Sequence, residues 1–346
     1  MPYSLRLCLC AAISFVLGAG CTRQESPAPP ASASSTQASS PARKLTVCLL
    51  PKKKGLPYFS TCARGAEEAA RELGLSLVYD GPTDGSPEKS AAMIEKWTLQ
   101  GVDVIAVSPN DPDVLAPAMQ KARARGVHVL TWDADGAPGT REYFVNQATA
   151  REIGAALVDT MARDLGSTDV RGEVAIITAT LTAANQNEWI KYIQERLPAY
   201  PGLSLVAIKP SNEDQKLAFQ VAQDLIKAYP NLKGLFGISS VAFPGAAEAV
   251  KQAGFAGQVL VTGLATPNDM RAFVEDGTVR SVVLWNTVDL GYLTIYAAQA
   301  VATGKLNPGA TALPAGRLGE KKIVGDQILL GDILVFTKEN IAQYDF

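Results

Sequence analysis

From Lys44 onward, short apolar runs alternate with segments in which apolar residues recur at helical spacing. The runs are rich in β-branched residues and largely apolar throughout, as strands buried on both faces of a parallel sheet are. A first series of runs covers residues 45–50, 75–79, 102–107 and 127–132. A second series covers residues 173–178, 203–208, 234–238, 259–262 and 281–284. Each run is therefore predicted to be a β-strand.

The segments between these runs carry the signals of helices. Two of them open on an N-cap followed by a proline at the first helical position, at Ser86-Pro87 and Asp111-Pro112. Residues 216–229 form a comparable helical stretch in the second series. Repeated strand–helix units predict an α/β fold with two doubly wound halves. No charge run or low-complexity segment separates the halves near residues 145–150, which indicates close hinge segments.

The first 42 residues have the pattern of a targeting segment and a tether. Arg6 precedes an apolar stretch at residues 7–17, which is too short to span a bilayer as a helix and is typical of a signal peptide. Small residues then precede Cys21, a pattern that resembles the bacterial lipobox, in which the cysteine is acylated after cleavage. We expect a signal peptide at residues 1–20, then a lipidated Cys21 and a disordered Pro/Ser/Ala-rich tether to residue 43. Cleavage without a lipid is the alternative.

Composition and charge narrow the class of protein. With 346 residues, of which 47% are hydrophobic, the chain suits two domains better than one. A net charge of −2 provides no basic field for phosphates, so we expect no nucleic acid partner. Cys48 and Cys62 are the cysteines of the predicted mature domain. Two buried thiols are favoured over a disulfide, although the sequence does not fix their separation.

Polar and aromatic residues follow most of the predicted strands. In open α/β sheets, ligands bind beyond the carboxyl ends of the strands. The residues there are rich in amides, hydroxyls, carboxylates and aromatics, at positions 52–58, 108–111, 133–135, 180–186, 239–246, 265–268 and 285–286. Carboxylates and amides can bond to neighbouring hydroxyl groups, and aromatic faces can cover apolar C–H surface. This inventory predicts a site for a small polyhydroxylated molecule.

Several of these segments, in order along the chain, resemble one known family. They include Leu-Pro-Lys at 50–52, Ser-Pro-Asn-Asp-Pro-Asp at 108–113, Thr-Trp-Asp-Ala-Asp at 131–135, Ala-Asn-Gln-Asn at 184–187, Phe-Pro-Gly-Ala at 243–246 and Leu-Trp-Asn-Thr at 284–287. From about residue 44 to residue 346, the chain resembles the type I periplasmic sugar-binding proteins, and within them the branch of the rhamnose and autoinducer-2 receptors. The resemblance implies two Rossmann-like lobes joined by a hinge. The first lobe is expected to hold residues 44–147 and about 286–318, and the second residues 148–285 and about 319–346.

The resemblance also implies a set of ligand contacts. In the autoinducer-2 receptors the contacts sit at positions that match Lys52, Asp133, Asn185, Gln186, Pro244 and Ala246. Those receptors carry an aspartate at the position of Asn185, whereas the rhamnose receptors are similar to this chain in their Ala-Asn-Gln-Asn segment. An amide offers a donor as well as an acceptor and lacks the charge of the aspartate. The ligand hydroxyl groups that meet Asn185 must therefore be arranged differently from those that meet the aspartate of the autoinducer-2 receptors.

Each of these residues has an expected role and, for several, an alternative. Asp133 would accept hydrogen bonds from ligand hydroxyls, or cap its own loop. Lys52 would donate to a ligand oxygen, or be solvated with Lys53 and Lys54. Asn185 and Gln186 would reach the cleft from the second lobe, with N-capping as the alternative for Asn185. Pro244 and Ala246 would contribute backbone and shape. Tyr58 and Trp285 supply aromatic surface, Trp285 as a stacking platform or as core.

Catalytic and metal-binding signals are missing from the sequence. The chain has one histidine, His128, within an apolar run, where a core or edge position is favoured over a catalytic base. Neither Gly-rich phosphate-binding fingerprint occurs, and the Gly-x-Ser-x-Gly nucleophile motif of α/β-hydrolases is also missing. We therefore expect no enzyme activity, no cofactor and no metal.

These observations lead to one expected function and two alternatives. The chain is predicted to be an extracytoplasmic lipoprotein, at the periplasm or cell surface, that captures a rhamnose-like deoxyhexose or autoinducer-2 between closing lobes and delivers it to an ABC transporter permease. A sensor that presents its closed form to a membrane receptor is an alternative that the sequence does not separate from import. A sugar-responsive repressor is a weaker alternative, because a signal peptide and tether occupy the place of its DNA-binding domain.

Overall fold

The computed structural model describes residue 20, residues 43–166 and residues 171–346. The predicted acylation site Cys21 and, apart from Gly20, the predicted signal peptide and nearly all of the tether lie outside these residues. Among the helices that the structure describes, none is both long and apolar enough to cross a bilayer.

The first lobe begins with a series of parallel strands and connecting helices. The elements are β1 (Thr46–Leu50), α1 (Pro57–Glu72), β2 (Ser76–Tyr79), α2 (Pro87–Gln100), β3 (Val104–Val107), α3 (Pro112–Ala124), β4 (His128–Trp132) and β5 (Phe144–Asn146). Strands β1 to β5 pair in parallel in the order β5-β4-β3-β1-β2. The first series of strands predicted from the sequence is therefore confirmed. The side chains of Ser86 and Asp111 cap α2 and α3, each before a proline, as the sequence indicates.

The second lobe repeats the scheme with its own sheet. Its elements are α4 (Ala150–Asp164), β6 (Gly172–Thr178), α5 (Ala184–Arg196), β7 (Leu203–Pro210), α6 (Gln215–Ala228), β8 (Leu232–Gly237), α7 (Ala242–Gln252), β9 (Leu260–Gly263), α8 (Pro267–Glu275) and β10 (Val282–Leu284). Four strands pair in parallel in the order β7-β6-β8-β9, and a bridge from Leu264 to Val283 leads on to β10. The second predicted series of strands is thus also confirmed.

The chain then returns to the first lobe through α9 (Thr287–Ala302), β11 (Ala312–Pro314), β12 (Glu320–Val324) and β13 (Gln327–Leu329), and ends in the second lobe with β14 (Leu334–Phe336). Strand β13 pairs in parallel with β5, and β12 pairs with β13. Strand β14 instead pairs antiparallel with β10. The predicted return to the second lobe at about residue 319 is therefore wrong: the crossing lies between β13 and β14. The β12–β13 hairpin belongs to the sheet of the first lobe because β13 pairs in parallel with β5.

The sheet of the first lobe separates two apolar layers. Val47 and Leu49 of β1 face the layer that contains α1 and α9, whereas Cys48 and Leu50 face the layer of α2 and α3. Because successive strand residues point to opposite faces, Cys48 lies on the other side of the sheet from Cys62, which belongs to α1. Both cysteines are buried and unpaired, which confirms the prediction of two buried thiols.

Helices α1 and α9 pack with almost no space between their backbones. A Cβ atom added at Gly65 of α1 would lie 1.8 Å from the carbonyl oxygen of Val288, and one added at Gly291 of α9 would lie 1.8 Å from the carbonyl oxygen of Cys62. Both glycines are required by this close approach, since no side chain fits. The contact fixes the start of α1, and with it the loop that follows β1, against the returning segment of the chain.

This contact predicts that Gly65→Ala destabilises the protein by about 2 kcal/mol or more, because an overpacked interface must shift backbone atoms. The midpoint of urea unfolding measures the effect. Glu67→Ala, at an exposed position of the same helix, is the matched control and should leave the midpoint nearly unchanged. Equal midpoints for the two variants would show that α1 and α9 are not packed as described.

Candidate ligand-binding site

A cavity lies where the carboxyl ends of the two sets of strands meet. The first lobe contributes residues from the loop after β1, from the start of α1 and from the end of β4, and the second lobe contributes residues that follow β6, β7, β8 and β9. The described residues that line the cavity are Lys52, Leu56, Tyr58, Phe59, Asp133, Asn185, Gln186, Trp189, Glu213, Ile238, Ser239, Ser240, Leu264, Leu284 and Trp285. Six of the eight ligand-binding residues predicted from the sequence are thus brought together here.

Asp133 is the most firmly held polar group of the cavity. Its Oδ1 accepts a hydrogen bond of 2.8 Å from the Tyr58 hydroxyl, and its Oδ2 accepts one of 2.8 Å from the Ser108 hydroxyl. Its backbone carbonyl accepts a further bond from the Gln147 side-chain amide. The residue adopts a φ of +64°, a conformation that aspartate and asparagine tolerate better than most side chains. The carboxylate is therefore preorganised, and its two oxygens retain acceptor capacity beyond these donors.

Tyr58 and Trp285 extend this arrangement into a chain of donors. The Trp285 indole N–H donates to the Tyr58 hydroxyl over 3.0 Å, which in turn donates to Asp133. Burial, followed by the charge of Asp133, raises the pKa of Tyr58, so that the phenol keeps the proton it donates. Trp285 is almost fully buried and meets Tyr58 and Trp189 edge-on, with ring centroids 6.2 Å apart in both pairs. It lines the cavity and is also core.

Lys52 connects the two lobes. Its Nζ donates to the Asn185 side-chain oxygen over 3.1 Å and lies 3.4 Å from Oδ2 of Asp133. The side chain is only 13% exposed, so the ammonium group faces the cavity and not bulk solvent. Of the two alternatives for Lys52, the structure therefore shows the buried one. Lys53 donates instead to the backbone oxygen of Glu213, and Lys54 pairs with Asp80.

Asn185 and Gln186 enter the site from the first turn of α5. Ala183 is the N-cap of this helix, so Asn185 does not cap it. Gln186 uses its side-chain oxygen to accept from the Thr178 hydroxyl and from the backbone N–H of Ala179. This pair of bonds fixes the amide against the end of β6, at the edge of the cavity. The second lobe thereby presents amide groups to the carboxylate and ammonium groups of the first.

Pro244 and Ala246 are not among the residues that line this cavity. Both lie within α7 and are buried. The serines that precede this helix, Ser239 and Ser240, reach the cavity in their place. The contacts that the resemblance implies for Pro244 and Ala246 stay a prediction.

Glu213 is a lining residue that the sequence patterns did not single out. It lies between β7 and α6, and Asn212 and Glu213 have φ values of +52° and +51°. The residue as a whole keeps some exposure, yet its Oε2 is buried and has no hydrogen-bond donor among the described residues. Burial raises the pKa of Glu213, and Asp133 adds to this rise, whereas Lys52, Lys53 and a hydrogen bond from the Ser239 side chain oppose it. Trp189 of α5 is a second lining residue that was missed.

The cavity is narrow and continuous with wider space. Its volume is about 50 Å³, well below the roughly 300–1,000 Å³ of small-molecule sites. A cleft of about 250 Å³ adjoins it beside Lys53 and Glu213, and one of about 960 Å³ adjoins it beside Asp135 and Asn185. The lobes are therefore close together at the site. Three connections between them, at the ends of β5, β10 and β13, are the segments about which they could separate.

The remaining candidate chemistry lies away from the site. His128 begins β4, at the opposite end of the strand from Asp133, and its Nδ1 lies 2.9 Å from Glu142. Its side chain is partly exposed at the amino-terminal end of β4, although this strand lies between β3 and β5 and not at the edge of the sheet. Residues 20, 43–166 and 171–346 contain no group of three or more His, Cys, Asp or Glu side chains that could hold a metal ion.

Comparison with known proteins identifies the family of this chain. Residues 47–306 match the model of the periplasmic binding protein domain. The D-allose-binding periplasmic protein of Escherichia coli is 26% identical over 286 residues, which cover 79% of this chain and 88% of that protein. Two solved structures have a TM-score of 0.82. An ABC transporter solute-binding protein of Clostridium phytofermentas with bound L-rhamnose is 29% identical, covering 87% of this chain and 98% of that one.

The second structure is LsrB of Clostridium saccharobutylicum in complex with AI-2, which is 25% identical and covers 87% of this chain and 100% of that one. The family model spans most of the chain, and these structures share its two-lobed fold. The chain therefore belongs to the periplasmic binding protein family, and its relatives there are receptors for sugar transport and not enzymes.

Proposed function

We propose that this chain is an extracytoplasmic solute-binding lipoprotein that closes its two lobes on a neutral sugar-like ligand and delivers it to the permease of an ABC importer. The observation that carries the proposal is the polar arrangement around Asp133: a carboxylate held by Tyr58 and Ser108, with Lys52 between it and Asn185 of the other lobe. Such an arrangement binds hydroxyl groups from both sides of a cleft. The described residues that line the cavity include no histidine and no cysteine.

The balance of charge in the cavity supports a neutral ligand. Lys52 is the only cation among the described residues that line the cavity, and it is already shared between Asp133 and Asn185. A ligand carboxylate or phosphate would therefore meet Asp133 and Glu213 without a free cation to offset them. Hydroxyl groups can instead donate to the carboxylates and accept from Lys52 and the amides. A polyol satisfies this site better than an anion does.

Asn185 bears on which neutral ligand is bound. Its side-chain oxygen accepts from Lys52, which leaves the amide N–H group to donate to a ligand oxygen. An aspartate here would pair with Lys52 and offer no donor. We therefore favour a rhamnose-like deoxyhexose over autoinducer-2, in keeping with the Ala-Asn-Gln-Asn segment that is similar to the rhamnose receptors. The solved relative with L-rhamnose supports the same choice.

A thermal-shift panel tests the function. L-rhamnose, D-allose, D-ribose and AI-2 are each added to the mature domain at about 100 times their Kd, where a ligand of the folded state stabilises it by about 2.7 kcal/mol. We expect the Tm to rise by roughly 5 °C with the cognate ligand and most strongly with L-rhamnose. Mass spectrometry of any co-purified small molecule is an independent measurement. An unchanged Tm across the panel, with no sugar co-purified, would refute the proposal.

Asp133→Asn tests the central carboxylate. Asparagine tolerates the positive φ of this position, so the domain should fold. Replacing a charged acceptor by a neutral one removes about 1.5–3 kcal/mol of hydrogen bonding, which corresponds to a Kd roughly 10- to 150-fold higher by calorimetry. Asp224→Asn, on the exposed face of α6, is the matched control and should bind as the unaltered protein does. Equal affinities for the two variants would exclude Asp133 from ligand binding.

The proposed membrane anchor has its own test. Acylation at Cys21 followed by a flexible spacer would hold the binding domain close to the permease. We expect Cys21→Ser to move the mature protein from the membrane fraction to the soluble fraction and to remove the acyl mass from its N-terminal peptide. Cys62→Ser, at a buried thiol of the folded domain, is the control and should remain membrane-bound. Acyl-free peptide from the unaltered protein would contradict the assignment.

A further inference from the structure

The cavity contains two carboxylates that differ in the number of hydrogen bonds they accept from the protein. Asp133 receives hydrogen bonds from Tyr58 and Ser108 and has Lys52 nearby. Glu213, from the other lobe, has a buried Oε2 with no donor among the described residues. An unmet buried acceptor is costly, and native structures seldom keep one without a partner or a purpose. Glu213 therefore has an unfilled hydrogen-bonding position in the ligand-binding region itself.

The ammonium groups of the two nearby lysines bind other partners and not the Glu213 carboxylate. Lys52 is directed to Asn185 and Asp133, and Lys53 donates to the backbone oxygen of Glu213 and not to its carboxylate. Neither lysine is within 4.0 Å of the carboxylate as an ion-pair partner in the described structure. A hydrogen bond from the Ser239 side chain lowers the pKa of the Glu213 carboxyl, yet Oε2 itself has no partner among the described residues, and a ligand hydroxyl group in the cavity is a donor that it can accept.

The loop that carries Glu213 is firmly held. The Ser211 side chain and backbone N–H both donate to the Thr178 carbonyl, at 3.0 and 2.8 Å. On the other side, Asp214 caps α6 through the backbone N–H of Leu217. Between these anchors the chain takes two successive positive φ values at residues that are not glycine, and the only other such residue described is Asp133. Backbone conformations of this kind concentrate at ligand-binding positions.

We propose that Glu213 is a specificity-determining residue whose Oε2 accepts a hydrogen bond from a ligand hydroxyl group, from the second lobe, while Asp133 accepts from the first. The inference rests on the proposed function and adds to it the class of ligand: a polyol with hydroxyl groups directed to both lobes. A sugar that lacks the hydroxyl facing Glu213 leaves the carboxylate unpaired on closure and binds weakly. Glu213 thus selects among sugars that Asp133 would accept equally.

The test combines Glu213→Leu with ligand analogues. Calorimetry gives the Kd of the panel sugar that the unaltered protein binds most tightly, and of each of its monodeoxy analogues. We expect Glu213→Leu to raise the Kd of the parent sugar by tenfold or more, since a hydrogen bond to a charged group is lost. The Kd for Glu213→Gln, which keeps a neutral acceptor, should lie between the values for the unaltered protein and for Glu213→Leu. Glu67→Leu, at an exposed position of α1, is the matched control and should bind normally.

The analogues show whether the contact is direct. One monodeoxy sugar should bind weakly to the unaltered protein yet bind to Glu213→Leu no worse than the parent sugar does, because both changes remove the same hydrogen bond. Parent affinity within twofold of normal in Glu213→Leu would overturn the inference while the proposed function stands. Failure of the unaltered protein to bind any sugar would overturn both.

A measurement without ligand separates binding from folding. If Glu213 acts on the ligand, the Tm of ligand-free Glu213→Leu should be unchanged or higher, because a buried carboxylate without a partner has been removed. A fall of more than about 5 °C would instead assign Glu213 a structural role and overturn the inference.

Discussion

The site depends on one line of hydrogen bonds, from Trp285 through Tyr58 to Asp133. Trp285 lies between β10 and α9, where the chain crosses from the second lobe to the first. Its ring contacts Tyr58 of the first lobe and Trp189 of the second. The residue that orients the binding carboxylate is therefore also located at a connection between the lobes. Separation of the lobes would therefore change the environment of Asp133, and under the proposed function this links ligand contact to lobe closure.

Lys52 forms a second contact between the lobes, and the strength of this contact depends on residue 185. In the described structure the ammonium group donates to a neutral amide of the opposite lobe while it remains close to Asp133. A carboxylate at position 185 would form a charged pair across the cleft and favour closure without ligand. The amide makes a weaker contact, and so leaves more of the closing free energy to the ligand itself.

Much of the fold and part of the site could be predicted from sequence. Apolar runs and N-caps located the strands of both lobes. The rule that ligands bind beyond parallel strands pointed to the segments that hold the site, and the family resemblance singled out Lys52, Asp133, Asn185 and Gln186 within them. The β12–β13 hairpin was misassigned because its pairing with β5 joins residues about 180 positions apart, for example Asn146 and Leu329, which no local pattern records. Glu213 follows β7 and falls under the same rule. It was overlooked because a positive φ at a glutamate and a buried oxygen without a partner have no signature in sequence.

The carboxylates of Asp133 and Glu213 differ in the hydrogen bonds that they already accept from the protein. Asp133 already accepts hydrogen bonds from Tyr58 and Ser108, and under the proposed function a ligand hydroxyl group would use its remaining acceptor positions. Glu213 instead has a buried Oε2 without a hydrogen-bond partner among the described residues. A ligand with a hydroxyl group there relieves the penalty, whereas a ligand without one retains it. Sites that contain unpaired polar groups reject incomplete ligands far more strongly than apolar pockets do, because the cost of the missing partner adds to the lost contact. Selectivity among similar sugars therefore follows from the group that the protein leaves without a partner.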